Sequence, residues 1–370
     1  AETPHKSMVL APVKELQKKY APDKRTAVFA VTTYERGKDL IVVGEVEQES
    51  AKKELFDALS AEYPSLIDSV TVLPDSDLGD KQWGIVTVSV ANMRSDPGED
   101  AELGSQTLMG SIVRILKKKG GWVYIQSPDK YLGWADPDQL IRVTEQQAKA
   151  WDAAEKVFVT AYFGFVHQQP NESSFPVCDI TGGAVLKKIG QSGEWLQVGL
   201  ADGRTGYIKR SAAIDLRQWG TAVVPVPERI EAAGRFLMGV PYLWGGTSPK
   251  GVDCSGFTKT VYNLNGLMLN RDANQQAEQG EPVEPGREFE HLKKGDLLFF
   301  GRKAGEGKSE RIVHVAIYLG NRQYIHSSGK VQINSFDPDS PLFNEYNLKR
   351  FVRARRVITS TPQMSEIKMQ

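Results

Sequence analysis

Residues 120–141, GGWVYIQSPDKYLGWADPDQLI, align without a gap on residues 193–214, GEWLQVGLADGRTGYIKRSAAI. Trp122 falls on Trp195, Gly133 on Gly206, Trp134 on Tyr207 and Ile141 on Ile214. Each copy reads as two short β segments around a polar turn. More short strands lie upstream, VTVSVANMRS and SIVRILKK before the first copy, KVFVTAYFG and GAVLKKIG before the second. Many short strands broken by Gly and Asp turns are the pattern of a small β-barrel, so the chain is expected to contain two. Small barrels need aromatic bulk to make a core, and Trp122 and Trp195 are assigned to the two cores on that ground.

At 370 residues the chain is too long for one hydrophobic core. Its 46 basic and 46 acidic residues cancel, which leaves no charge surplus to form a nucleic-acid surface. No run of about 18 or more apolar residues is present to form a membrane-spanning helix. The two cysteines, Cys178 and Cys254, make neither a metal cluster nor a disulfide framework. Cys178, in FPVCDITGG, reads as a small buried hydrophobe. The histidines and carboxylates show no metal-binding spacing, so no metal or cofactor is expected. The chain begins AETPHK, which is read as an exported, cell-envelope protein after loss of a signal peptide, with a cytoplasmic location as the alternative. A monomer is expected.

Four units follow along the chain: an N-terminal α/β unit over 1–80, a first barrel over 81–144, a connector and second barrel over 145–222, and an α+β domain over 223–370. In the first unit, two β-rich runs turn at Arg36-Gly37, and a helix carrying Leu55, Phe56 and Leu59 ends at Tyr63-Pro64. EQQAKAWDAAEK at 145–156 reads as a connector, and Pro225 and Pro227 mark the last boundary. Beyond it, one helix presents Ile230, Ala233, Phe236 and Leu237 on one side. A second helix, CSGFTKTVYNLNG, offers Phe257, Val261 and Leu264 to the core. A succession of strands follows, and helices before an antiparallel sheet make an α+β arrangement.

Chemistry converges on the last unit. Cys254 stands where a glycine-rich loop enters a helix. Unpaired N–H groups there are expected to lower its pKa and to receive an oxyanion. His314, in RIVHVAIYLG, sits on a strand that fixes its ring as a general base. His326, one strand later in QYIHSSG, can orient that base. His5, His167 and His291 lack such company and receive no role.

The fragments PYLWGG, GVDCSGF, RDANQQ, LKKGDLLFF, HVAIYLG and YIHSSG, across about residues 228–330, resemble the NlpC/P60 family of cell-wall cysteine peptidases. The resemblance implies a reduced papain-like α+β domain with Cys254 as nucleophile, His314 as base and His326 as third catalytic residue. It implies that Asp253 and Ser255 shape the substrate end of the loop, and that Tyr242 and Trp244 line the cleft. Residues 91–110, ANMRSDPGEDAELGSQTLMG, resemble the opening of a bacterial SH3 domain, a phrase the second copy has lost. Two such SH3-like barrels before an NlpC/P60 domain resemble the γ-D-glutamyl-L-diamino acid endopeptidases of murein turnover. That likeness implies murein stem peptides as partners and cleavage after D-glutamate in peptides with a free N-terminal L-alanine. Asp272 would hold the amine, in a pocket closed by Tyr131 and by Glu102, with Asp96 or Glu99 as alternatives to Glu102. Tyr131 aligns with Arg204 in the repeat, so the barrel core does not require a tyrosine there. An amidase or acyltransferase on the same fold, and a non-catalytic wall-binding protein, are the rival functions.

Overall fold

The computed structural model describes residues 7–305 and 307–359. His5 and the end of the 223–370 domain lie outside the described residues.

The N-terminal unit is a four-stranded sheet ordered β1 (Ser7–Met8), β2 (Phe29–Arg36), β3 (Asp39–Val46) and β4 (Leu66–Val72), with α1 (Ala11–Tyr20) between β1 and β2. β2 and β3 form the expected hairpin, turning at Gly37 with φ of 63°. α2 (Glu49–Ser60) crosses over so that β4 runs parallel to β3. Val13 and Leu16 of α1 meet Leu55 and Leu59 of α2 over Leu40, Val42 and Val46, while Phe56 is only partly buried beside this core. The sequence reading did not foresee α1. The unit packs on the first barrel through Val28, Leu73, Leu116, Tyr124 and Leu132, with a Glu45–Lys117 ion pair at the edge.

The first barrel comprises β5 (Trp83–Val86), β6 (Val90–Arg94), β7 (Leu103–Leu108), β8 (Ile112–Lys119), β9 (Trp122–Gln126), β10 (Leu132–Ala135) and β11 (Leu140–Val143). Its ladder runs β11-β5-β8-β9-β10-β6-β7. α3 (Glu145–Ala153), capped by Thr144 and Gln147, connects it to the second barrel. That barrel comprises β12 (Lys156–Val159), β13 (Phe163–His167), β14 (Pro176–Thr181), β15 (Val185–Ser192), β16 (Trp195–Gly199), β17 (Thr205–Lys209) and β18 (Ala213–Asp215). Its ladder, β18-β12-β15-β16-β17-β13-β14, reproduces the first strand for strand. The repeat seen in the 22-residue sequence windows therefore extends to all seven strands of each sheet.

Trp122 and Trp195 are not core residues. Strand alternation sends Val123 and Ile125, or Leu196 and Val198, inward and leaves each tryptophan half-buried on the other face. The buried tryptophan of the first barrel is Trp134, against Tyr124 at 4.9 Å between ring centroids. Cys178 is half-buried beside the second core, and burial pushes its thiol up to about 11.

α4 (Leu216–Ala222) packs on the second barrel, with Trp219 stacked on Phe158, and the last domain opens with α5 (Pro227–Phe236). It continues through β19 (Thr247–Ser248), β20 (Gly251–Val252), α6 (Cys254–Asn263) and α7 (Ala273–Gln276). A six-stranded antiparallel sheet follows, built from β21 (Glu281–Val283), β22 (Leu297–Arg302), β23 (Arg311–Gly320), β24 (Gln323–Ser328), β25 (Lys330–Ser335) and β26 (Phe351–Arg356), with α8 (Glu345–Lys349) before the last strand. Its order is β21-β26-β22-β23-β24-β25. Ile230, Leu237, Phe257 and Val261 pack on Val315, Ile317 and Ile325 on one face. Phe300, Tyr324, Phe336 and Phe351 fill the other.

Phe236 and Leu264 depart from their assignments. Phe236 is 73% exposed and stacks on Tyr162 of the second barrel, because it stands about 100° around the helix from its buried neighbour Leu237. Leu264 is half-buried and lies beside Gly182 of the same barrel, where an added Cβ would come within 3.0 Å of it. Both apolar residues thus serve the contact between units.

Candidate active site

Cys254 is the first residue of α6, and Asp253 is its N-cap. Asp253 Oδ1 accepts the Gly256 N–H at 2.7 Å, and Oδ2 accepts the Gly245 N–H at 3.0 Å. Arg271 grips the same carboxylate through Nη2 at 2.5 Å and Nη1 at 3.2 Å, and donates to Ser255 Oγ at 3.1 Å. Asp253, Ser255 and Arg271 are all buried. Asp253 and Ser255 therefore shape the loop from beneath, with their polar atoms committed to the protein. Gly256 is required here, since a Cβ would stand 1.8 Å from the Gly246 carbonyl oxygen.

Cys254 is only 8% exposed. Burial and the Asp253 charge push its thiol up to about 11, outweighing Arg271 and the N–H groups of Val315 and Ser255 that favour thiolate. The expected depression by the helix N-terminus is reversed, because the thiol has lost more in hydration than those dipoles return. The Val315 contact sets Cys254 beside the residue that follows His314 in β23. Burial, reinforced by nearby negative charge, holds the Tyr242 hydroxyl well above its ordinary range.

His314, His326 and Asn334 occupy the adjacent strands β23, β24 and β25. His314 Nε2 lies 2.7 Å from His326 Nδ1, and His326 Nε2 lies 2.8 Å from Asn334 Oδ1. Asn334 Nδ2 donates to the Leu342 carbonyl at 3.2 Å, which orients the amide. A carbonyl oxygen only accepts, so His326 carries its proton on Nε2 and accepts through Nδ1. His314 then donates from Nε2, leaving Nδ1 as its basic nitrogen. Burial, followed by His326 and Arg350, drives the His314 pKa well below 6.5, and burial lowers His326 to about 4. Burial thus favours the neutral forms of the thiol and of both imidazoles.

The first barrel forms one end of the cleft. Tyr131 Oη donates to Asp272 Oδ2 at 3.3 Å, just before α7. The turn carrying Tyr131 is tied to α6 by a buried Asp129–Lys259 ion pair of 2.9 Å. Trp244, 61% exposed, donates from Nε1 to Glu102 Oε1 at 2.7 Å. Glu99 instead pairs with Arg94, away from Trp244. The Gly245 backbone, at φ of 79°, presses on Leu103, where a Cβ would meet the carbonyl oxygen at 2.3 Å. Thr247 donates twice to Gln106 alongside.

The structure thus joins His314 to His326, Asp272 to Tyr131 and Trp244 to Glu102, with Asp253 and Ser255 flanking Cys254 at the start of α6. Asn334, Arg271 and Arg25 were missed. Asn334 sits in VQINSF, where alternation marks a strand and nothing more. Arg271 stood in the RDANQQ fragment without a role. Arg25 bonds Asp272 across 247 positions of sequence, a distance no local pattern spans. Among the described residues, no group of three or more His, Cys, Asp or Glu could hold a metal ion, and no helix is long and apolar enough to cross a membrane.

Comparison with known proteins agrees with this geometry. The NlpC/P60 family profile matches residues 239–356, and that of the bacterial dipeptidyl-peptidase SH3 domain matches residues 93–140. A Bacillus cereus protein named gamma-D-glutamyl-L-lysine dipeptidyl-peptidase is 30% identical over 234 residues, which are 61% of this chain and 67% of the relative. Dipeptidyl-peptidase 6 of Lysinibacillus sphaericus is 28% identical over 70% of this chain and 94% of its own length. The crystal structure of an NlpC/P60 family protein from Bacillus cereus superposes with a TM-score of 0.64 at 25% identity, covering 75% of this chain and all of that one. The profile matches include the first barrel as well as the thiol-bearing domain, and the chain belongs to the NlpC/P60 family of cysteine peptidases.

Proposed function

We propose that the protein is a cysteine endopeptidase that hydrolyses the γ-D-glutamyl-L-diamino acid bond of murein stem peptides with a free N-terminal L-alanine. The observation that carries this reading is the joining of two features in one cleft. A Cys254 thiol lies beside an oriented His314–His326–Asn334 series, and Asp272 is joined to Tyr131 of the first barrel. The relatives' names point to the same bond.

The chemistry follows from the protonation states. Cys254 Sγ attacks the γ-carbonyl carbon of D-glutamate as His314 Nδ1 takes the thiol proton, so ionisation accompanies attack and no standing ion pair is needed. The oxyanion faces the N–H groups at the start of α6. When the C–N bond breaks, His314 returns its proton to the leaving amine of the diamino acid. A water that then gives a proton to His314 attacks the thioester, releasing L-Ala-D-Glu and restoring the thiol. His326 holds the imidazole in the tautomer each step needs. Asp272 receives the substrate ammonium, and Tyr131, Glu102 and Trp244 enclose that end. Tyr242 lines the cleft beside the thiol. Such peptides belong to the cell envelope, which is the proposed place of action.

The test is release of free diamino acid from L-Ala-γ-D-Glu-L-Lys and its diaminopimelate counterpart, followed by mass spectrometry. Wild type is expected to release it, and Cys254→Ala to bind the peptide without turnover. Turnover by Cys254→Ala, or transfer to an added amine in place of hydrolysis, would overturn the assignment.

A further inference from the structure

The loop between α1 and β2 reaches the same carboxylate as the first barrel. Asp23 Oδ1 accepts the Arg25 backbone N–H at 2.9 Å, and its carboxylate holds the Arg25 guanidinium through Nε at 2.8 Å and Nη2 at 2.6 Å. The other terminal nitrogen, Nη1, donates to Asp272 Oδ2 at 2.6 Å and to Asn274 Oδ1 at 2.9 Å. Gln275 Nε2 donates back to Asp23 Oδ2 at 2.8 Å. The loop is also fastened to the first barrel, with Leu132 N–H on the Arg25 carbonyl at 2.8 Å and Gln126 Nε2 on the Thr26 carbonyl at 2.9 Å. Three units meet at Arg25.

Two physical consequences follow. A carboxylate offers about four acceptor positions, and Arg25 and Tyr131 both use Oδ2 of Asp272. Both of these bonds fall on one oxygen, and the side chain also faces the Gln275 backbone N–H in the capping box of α7. Its Oδ1 stands 3.8 Å from the nearest Arg271 nitrogen, outside hydrogen-bonding distance. Charge is balanced as well. Asp23 neutralises Arg25 in a two-pronged pair, so the guanidinium orients Asp272 without cancelling the negative charge that an ammonium requires. An acylated amine brings no cation to Oδ1 and leaves it with only the long Arg271 ion pair.

We infer that Arg25 is a positioning residue of the substrate pocket. It pins Asp272 so that Oδ1 meets the primary ammonium of the peptide, and the N-terminal α/β unit completes the pocket together with the first barrel. The inference rests on the assignment of Asp272 to the substrate amine.

The experiment compares wild type, Arg25→Gln and Arg25→Lys in the full chain on L-Ala-γ-D-Glu-L-Lys and its N-acetylated form, with thermal unfolding recorded for each. Arg25→Gln removes the guanidinium and its charge-assisted bond to Asp272, so KM for the free peptide is expected to rise about tenfold with kcat within about twofold. Slow cleavage of the acetylated peptide should stay unchanged, so that discrimination between the two shrinks. Arg25→Lys should recover part of the loss, since a single ammonium can hold Oδ2 without the fork. An unchanged or lower KM in Arg25→Gln overturns the inference, as does an equal loss on both peptides with a lowered unfolding temperature. If wild type cuts neither peptide, the function itself falls and the inference with it. If wild type cuts the free peptide and Arg25→Gln matches it, the inference alone falls.

Discussion

His314 Nε2 lies 2.7 Å from His326 Nδ1, and the two rings stand at 79° to one another. Of the ring nitrogens in this pair, only His314 Nδ1 remains basic, and the far end of the series, Asn334, is what decides it. Replacing Asn334 with alanine removes that constraint on the His326 tautomer. Steady-state kinetics should show kcat lowered about tenfold with KM nearly unchanged, within the usual range for a general base that has lost its orientation. Asn334→Asp should retain an acceptor and add a negative charge beside His326. The acid limb of the pH–rate profile should then move to higher pH, because a nearby carboxylate favours imidazolium.

Folding stability should fall on acidification through a window defined by His326. Its folded pKa of about 4 lies below the ordinary 6.5, so between these values the unfolded chain binds the extra proton. Stability is complete above the ordinary value and is lost as pH falls toward 4, by on the order of 3 kcal/mol from this group alone. Denaturant unfolding at pH 7 and pH 4.5 measures the loss. His326→Gln should reduce that dependence, leaving the part due to buried His314; a slope equal to wild type would rule out His326 as a source.

Arg271 is 2% exposed and bonds the buried N-cap carboxylate of α6. Arg271→Met leaves Asp253 charged without its main partner, and should cost about 3–5 kcal/mol in urea unfolding. Asp253→Asn combined with Arg271→Met should cost less than the sum of the single changes, since the uncompensated charge is then gone.

Asp272→Asn should lower kcat/KM for the free-amine peptide by about 10- to 100-fold, and Tyr131→Phe by less, because the first removes the charge and the second one neutral hydrogen bond. The N-acetylated peptide should be affected little by either change. Equal losses on both peptides would show that the two residues support the fold of the cleft and not recognition of the amine.

Much of this arrangement was legible in one dimension because the relevant patterns are local. Glycine and aspartate turns at repeated intervals announce two barrels, and alternation around His314 and His326 announces two strands. The loop-to-helix junction at Cys254 is legible too, since only a small, turn-rich stretch lets Gly256 approach the Gly246 carbonyl. Faces were harder to read. Trp122, Phe236 and Leu264 are apolar at positions that fit a core, yet each lies on a surface or in a contact between units. Periodicity identifies an apolar side without saying which neighbour covers it.

Sequence alone pointed to the thiol, the two imidazoles and, through the family resemblance, Tyr131, because each is tied to a short phrase of residues. Tertiary structure alone decided the protonation of Cys254, which burial raises against the helix dipole, and the tautomer of His314, which passes through a third strand to Asn334. It also brought Arg25 to Asp272 from 247 positions away. Desolvation and through-space charge depend on what the folded chain places around a group, and neither leaves a mark in the spacing of residues.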